Sequence, residues 1–207
     1  MLIYDIGANI GKFTEACLLK HPTAHIILVE ANPQLIDGLT KRFMGKSVTI
    51  LNILLSSEAD IELPFYISEN ENTISTASKD WVQKSRFSNK SIWSKKILQK
   101  TITLDKLLEE YKEPDIVKID VEGYELEVLK GLTKKQKKIC FEWAEEQRDQ
   151  ILQTIDHLES IGYSDFGFIE GDEYLKEPSR WLIKNECIAK MEMIPERKQK
   201  WGMVWVK

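Results

Sequence analysis

The sequence predicts an α/β fold built on an open, mostly parallel sheet, and three stretches carry that prediction. Ile116, Val117, Ile119 and Val121 form a nearly continuous β-branched run, the pattern of a strand covered on both faces. Leu2-Ile3-Tyr4 leads into Gly7 and Gly11 and then into a helical pattern at Phe13, Ala16, Cys17 and Leu18, which reads as strand, tight turn and helix. His25 to Val29 is a second apolar strand, ending on Glu30. Sheets of this kind place ligands outside the C-terminal ends of their strands.

In chain order, Gly7 and Gly11 let the backbone approach a ligand, and the helix that follows offers free N–H groups. Asn9 stands where the dinucleotide pattern G-x-G-x-x-G has its second glycine, so a ligand without a pyrophosphate is favoured over NAD. Glu30 lies 19 positions after Gly11, where an acid can accept both hydroxyls of a ribose. Leu35, Ile36, Leu39 and Phe43 stripe the next helix, Val48 to Leu55 reads as a third strand, and Ile61 to Ile67 alternates like a strand at an edge or over the site.

Residues 68–100 turn to Ser, Asn, Thr and Lys, and a stretch of that length without a period reads as a functional insertion or lid. Extended structure resumes at Thr101 to Leu104, and a short helix follows through Leu107 and Leu108. The central strand then breaks at Glu122-Gly123 into a helix that Gly131 ends. Ile139 to Trp143 is a fifth strand, Ile151, Ile155, Leu158 and Ile161 mark an amphipathic helix, and Tyr163 to Lys207 alternates aromatic and polar residues without a clear helical period. The final Met203-Val204-Trp205-Val206 is expected to pair antiparallel with an earlier strand.

The chain has 207 residues, long enough for a full core, and no linker divides it, so one domain over 1–207 is expected. Its 29 basic and 33 acidic residues leave a net charge of -4, which argues against general adhesion to nucleic acid or anionic lipid. Cys17, Cys140 and Cys187 are odd in number and lack zinc spacing; with no apolar run of spanning length and no signal peptide, a cytoplasmic protein with reduced cysteines is expected.

Asp5-Ile-Gly-Ala-Asn-Ile-Gly11, Glu30-Ala-Asn-Pro33, Thr103-Leu-Asp105 and Val117-Lys-Ile-Asp-Val-Glu-Gly-Tyr-Glu125 together resemble the FkbM-type family of class I S-adenosyl-L-methionine-dependent methyltransferases. The glycine turn alone is a weak signal; the Lys-Ile-Asp-Val-Glu-Gly block in order after it is specific. The resemblance implies a Rossmann-like, seven-stranded, mostly parallel sheet with an antiparallel C-terminal hairpin strand and helices on both faces, and O-methylation of a sugar, glycan or related small molecule. It also implies that Asp5, Gly7, Ala8, Asn9 and Gly11 lie along the methionine part of the cofactor, with Glu30 on its ribose and Asn32 near adenine. Family members usually carry a helical segment before the first strand. None is seen here, so either another domain or protomer is expected to cover that side or the site is unusually open; the abrupt start suggests one module of a longer chain, fused to or associated with other glycan-modifying domains, and an independent minimal enzyme would look the same.

Deprotonating a hydroxyl needs a base. His21 and His25 sit at the wrong end of the sheet and His157 in a late helix, so a carboxylate is expected: Asp120 first, Glu122 second. Lys118, two residues before Asp120 and on the same face of its strand, would steady the acid or the developing alkoxide, and Glu142 would orient the acceptor. Asp120, Glu122 and Glu142 are also an all-oxygen set suited to Mg²⁺ or Ca²⁺. Trp81, Phe87 and Trp93 could stack on a sugar and Arg86 could meet an anion, against the plainer reading that insertion aromatics pin their segment to the body. Lys118 and Asp120 as a satisfied buried ion pair, an NAD oxidoreductase, and a non-catalytic binding module on the same scaffold are the alternatives.

Overall fold

A computed structural model describes residues 1–171, 173, 175–194 and 201–207, except the side chain of Asn72. The sheet strands are β1 (Leu2–Ile6), β2 (His25–Val29), β3 (Val48–Leu51), β7 (Ile116–Ile119), β8 (Ile139–Ala144), β9 (Phe166–Glu170) and β10 (Trp201–Val206). They form one seven-stranded sheet in the order β3-β2-β1-β7-β8-β10-β9. The first five are parallel, and β10 runs antiparallel to β8 and β9, as the aromatic C-terminal strand led one to expect. Strand order turns back between β1 and β7, the place where open sheets leave a crevice.

The sheet is flanked by α1 (Lys12–Lys20), α2 (Pro33–Arg42), α4 (Leu104–Tyr111), α5 (Glu125–Lys130), α6 (Arg148–Ser160) and α7 (Lys184–Glu192). Ile151, Ile155 and Leu158 of α6 join Val117, Ile119, Phe141 and Val204 of the sheet in one buried cluster, each such side chain contributing about 1.5–3 kcal/mol by leaving water. Asn32 and Thr103 cap α2 and α4 through their side-chain oxygens, which explains why both helices start where they do.

Three expectations are corrected. The third strand stops at Leu51, because Asn52 turns its Nδ2 to the carbonyls of Glu30 and Ala31 at 2.8 and 3.2 Å. Leu54–Leu55 is instead β4, which pairs with β6 (Lys95–Ile102) beside β5 (Glu62–Ile67) in a second, three-stranded sheet. The end of the supposed irregular insertion, 95–100, is therefore regular strand, and α3 (Lys79–Lys84) lies within the rest. A helix, α7, also interrupts the stretch after Tyr163; Cys187 and Met191 are its buried residues, too few to stand out as a period. Positions 172, 174 and 195–200 of that stretch lie outside the described residues.

Candidate active site

The tip of β1 and the turn after it form one wall. Gly7 has φ +73°, and a Cβ there would sit 1.8 Å from the carbonyl oxygen of Asp120, so the β1 and β7 ends approach this closely only without a side chain. Asn9, in place of a glycine, also has a left-handed φ of 50°, a conformation asparagine tolerates better than most residues. Its backbone N–H donates to Glu30 Oε2 at 2.7 Å, and the N–H of Asn32 donates to Glu30 Oε1 at 2.7 Å. Burial pushes the Glu30 pKa up while the two N–H groups pull it down. Asn32 is 1% exposed and its Oδ1 accepts from Gln34 N at 3.0 Å, a helix cap beneath the site. Asn9 Oδ1 is buried with no hydrogen-bond partner.

Parallel register sets Asp5 beside Lys118. The ammonium lies 3.1 Å from Asp5 Oδ1 and 3.6 Å from Asp120 Oδ2, and donates to the Gly7 carbonyl at 3.0 Å; Thr14 Oγ1 donates to the other Asp5 oxygen at 2.7 Å. Burial pulls the Lys118 pKa down, but Asp5 and Asp120 together outweigh it and the net direction is up. Lys118 thus ties β1 to the acid at the end of β7.

After β7 the chain makes a strained turn, with Glu122 at φ 53° and Gly123 at φ 82°. A Cβ on Gly123 would meet Gln147 Nε2 at 2.2 Å. Glu125 is 3% exposed and holds this turn from inside, its Oε1 accepting from Val121 N at 2.9 Å and Gly123 N at 3.3 Å. Gln147 Nε2 donates to the Gly123 carbonyl at 3.0 Å, and Thr76 Oγ1 donates to the Glu122 carbonyl at 2.7 Å. The Glu125 side chain is therefore a brace of the acid turn. Burial pushes its pKa up to about 7, against the pull of the N–H groups.

Asp120, Glu122 and Glu142 of β8 converge, one oxygen of each lying within 4.8 Å of the others. They face a cavity of about 560 Å³ that Gly7, Ala8 and Asn9 border on one side and the segment 73–90 on the other. Burial, then the neighbouring carboxylates, raise the pKa of Glu122 and Glu142 well above the ordinary value. A second, narrow recess of about 50 Å³ opens past Asp120 and Glu122, walled by Val29, Glu30, Ile53, Leu55 and Phe65.

The wall from the segment 73–90 is Thr73, Ile74, Arg86, Phe87 and Lys90, joined by Trp201 and by Lys12 of α1. Of these, the sequence singled out Arg86 and Phe87. Arg86 pairs with Glu146 at 3.2 Å, and its guanidinium lies over the rings of Phe87, Trp81 and Trp201 at 4.9, 5.7 and 5.9 Å. Trp81 and Trp93 do not line either cavity. Trp81 is 1% exposed, sealed beneath Arg86 and Gly123, and Trp93 is half-buried with Nε1 donating to the Ile74 carbonyl at 3.2 Å. Trp81 pins the segment to the body at Gly123, and Trp93 ties two parts of the segment together. His25 bonds Ser47 and Thr49, and His157 bonds the Leu132 carbonyl, so neither is near the acids.

Among curated proteins, hexuronic acid methyltransferase AglP of Haloferax volcanii is 34% identical over 147 residues, 68% of this chain, and the match covers 53% of that protein. The chain thus spans about half the length of this relative. Among solved structures, precorrin-6y C5,15-methyltransferase of Geobacter metallireducens superposes with a TM-score of 0.50 at 14% identity, covering 100% of this chain and 78% of that one; a likeness at that identity speaks to the fold alone. The model of the methyltransferase FkbM domain matches residues 5–169, a span that holds the glycine turn, Glu30, the acid turn and Glu142. The chain belongs to the FkbM methyltransferase family.

Proposed function

We propose that this chain transfers a methyl group from S-adenosyl-L-methionine to a hydroxyl of a sugar or related small molecule. The observation that carries the reading is the meeting, at the ends of β1, β7 and β8, of a glycine turn open to a ligand with three carboxylates that face one cavity. The name of the relative, a hexuronic acid methyltransferase, supports a sugar acceptor. Lys12, Lys90 and Arg86 on the cavity wall suit an acidic one.

The residues fit the donor. Each Glu30 oxygen has one N–H partner and a lone pair left for a ribose hydroxyl; Val29, Ile53, Leu55 and Phe65 offer an apolar wall for a purine. The unpartnered Asn9 Oδ1 is an acceptor for an amino group. The recess is narrow, so seating a purine requires Thr73, Ser75 and Ala77, which close it, to shift outward. When bound, the donor supplies an electrophilic methyl on a sulfonium, and the chain's task is alignment and proton removal.

Asp120 is the base in this reading. It lies in both cavities, where a hydroxyl held in the wider one comes within its reach, and the ammonium of Lys118 keeps it in place. Glu122 and Glu142 line the wider cavity beside Asp120, where their carboxyl groups meet the acceptor's oxygens.

Calorimetry with S-adenosyl-L-methionine on one side and NAD on the other tests the cofactor. Labelled-methyl transfer to a panel of neutral sugars and uronic acids tests the acceptor. Saturable donor binding and label in a sugar are expected; binding of NAD alone would make the chain an oxidoreductase, and undiminished transfer by both Asp120→Asn and Glu122→Gln would remove the base.

A further inference from the structure

Deepening that reading and resting on it, we propose that Asp120, Glu122 and Glu142 together hold one hard divalent cation, through which the acceptor's oxygens are gripped. The three ligand oxygens lie within 4.8 Å of one another, and a cation with oxygen ligands at about 2.0–2.6 Å spans about 4–5 Å between opposite ligands. The set holds neither histidine nor cysteine, which selects Mg²⁺, Mn²⁺ or Ca²⁺ over zinc or copper.

Clustered acids alone would not carry this; Glu142 supplies the second observation. Four carboxylate residues are buried among those described: Asp5, Glu30, Glu125 and Glu142. Asp5 has Lys118 and Thr14, Glu30 has two backbone N–H groups, and Glu125 has two more. Glu142, 8% exposed on a strand inside the sheet, faces the cavity with no hydrogen bond or ion pair from the described residues. A carboxylate is costly to bury without a counter-charge; Arg86, whose charge pulls the Glu142 pKa down, makes its ion pair with Glu146, and Lys118 lies between Asp5 and Asp120.

A cation there satisfies all three acids at once and keeps positions open toward the 560 Å³ cavity. Those positions suit two neighbouring oxygens of one sugar, either adjacent hydroxyls or a hydroxyl beside a carboxylate. A metal-bound hydroxyl loses its proton more readily, which reduces what Asp120 must do as base.

The test titrates Mg²⁺, Ca²⁺ and Mn²⁺ separately into the EDTA-stripped full chain at pH 8 without donor, followed by calorimetry, thermal unfolding and, for Mn²⁺, loss of the free-ion EPR signal. One saturable site and a rise in Tm that levels off are expected. Glu142→Gln, which does not border the narrow recess, should weaken the cation by at least about tenfold with the donor titration unchanged, and Glu122→Gln should weaken the cation likewise. Absence of saturable binding to the wild-type chain at millimolar cation, or wild-type affinity in both variants, overturns the proposal. The Mn²⁺ signal on wild type decides even if a variant fails to fold. Donor binding without cation binding defeats the cation site alone; cation binding without donor binding defeats the methyltransfer reading and leaves the site standing.

Discussion

The narrow recess and the wide cavity share Gly7, Asn9, Asp120 and Glu122 but treat their acids in opposite ways. In the recess, Glu30 has each oxygen bonded to a backbone N–H, so its position is fixed before any ligand arrives. Across the shared wall, Glu122 and Glu142 have no such bonds and crowd against Asp120. Backbone satisfaction marks a surface that waits for a constant partner, such as a cofactor; crowded acids mark one that is completed by what it binds.

The largest blow to both sides should come from Gly7→Ala. The added Cβ would press on the Asp120 carbonyl from a backbone that disfavours side chains, at a cost of about 2–4 kcal/mol, read by urea unfolding, with donor binding lost in calorimetry. Next comes a pair that separates the two sides. Asp120→Asn should lower kcat by about 10²–10⁴-fold with donor affinity nearly intact, whereas Glu30→Gln should weaken the donor by about 10–100-fold, the worth of a charged hydrogen bond. Equal effects of the two on both quantities would erase the distinction.

The acids also set a pH dependence. An acid whose folded pKa lies above its unfolded value binds its proton more tightly when folded; its contribution is complete below about 4.5 and is lost as pH rises through the folded value. For Glu125 that window runs from 4.5 to about 7; for Glu122 and Glu142 it extends upward from 4.5. Stability of the metal-free chain should therefore fall with rising pH across this range, by at most about 1.4 kcal/mol per pH unit for each group. Glu142→Gln should flatten the slope, measured by denaturation at pH 5 and pH 8. The smallest effect is expected of Lys90→Ala, a rise of about 2–5-fold in KM for an acidic sugar that fades above the salt concentration that screens exposed charges.

The first two strands, the central one, the glycine turn and the positions of Asp120 and Glu122 were legible because each is a local pattern: β-branched runs, glycines beside an asparagine, acids at a strand end. The second partner of Lys118 was not, because Asp5 is 113 positions away and meets it only through parallel register. Glu125 stands in the first turn of α5, where an acid is ordinary, and nothing local says that its carboxylate folds back to hold the turn before it. Trp81 and Trp93 left both a sugar platform and an anchor open, since a sequence cannot tell an aromatic facing a cavity from one that anchors its wall. The break at Asn52 depends on carbonyls at the end of another strand.

Thr76 is fully buried; its hydroxyl accepts from Ser78 N at 2.9 Å while donating to the carbonyl of Glu122. The stretch that borders the wide cavity is thus fastened to the very bend that presents the acids. Anyone retargeting the enzyme by grafting a foreign loop would have to replant a hydroxyl at this point. A graft chosen for shape alone would change selectivity and forfeit turnover in the same stroke.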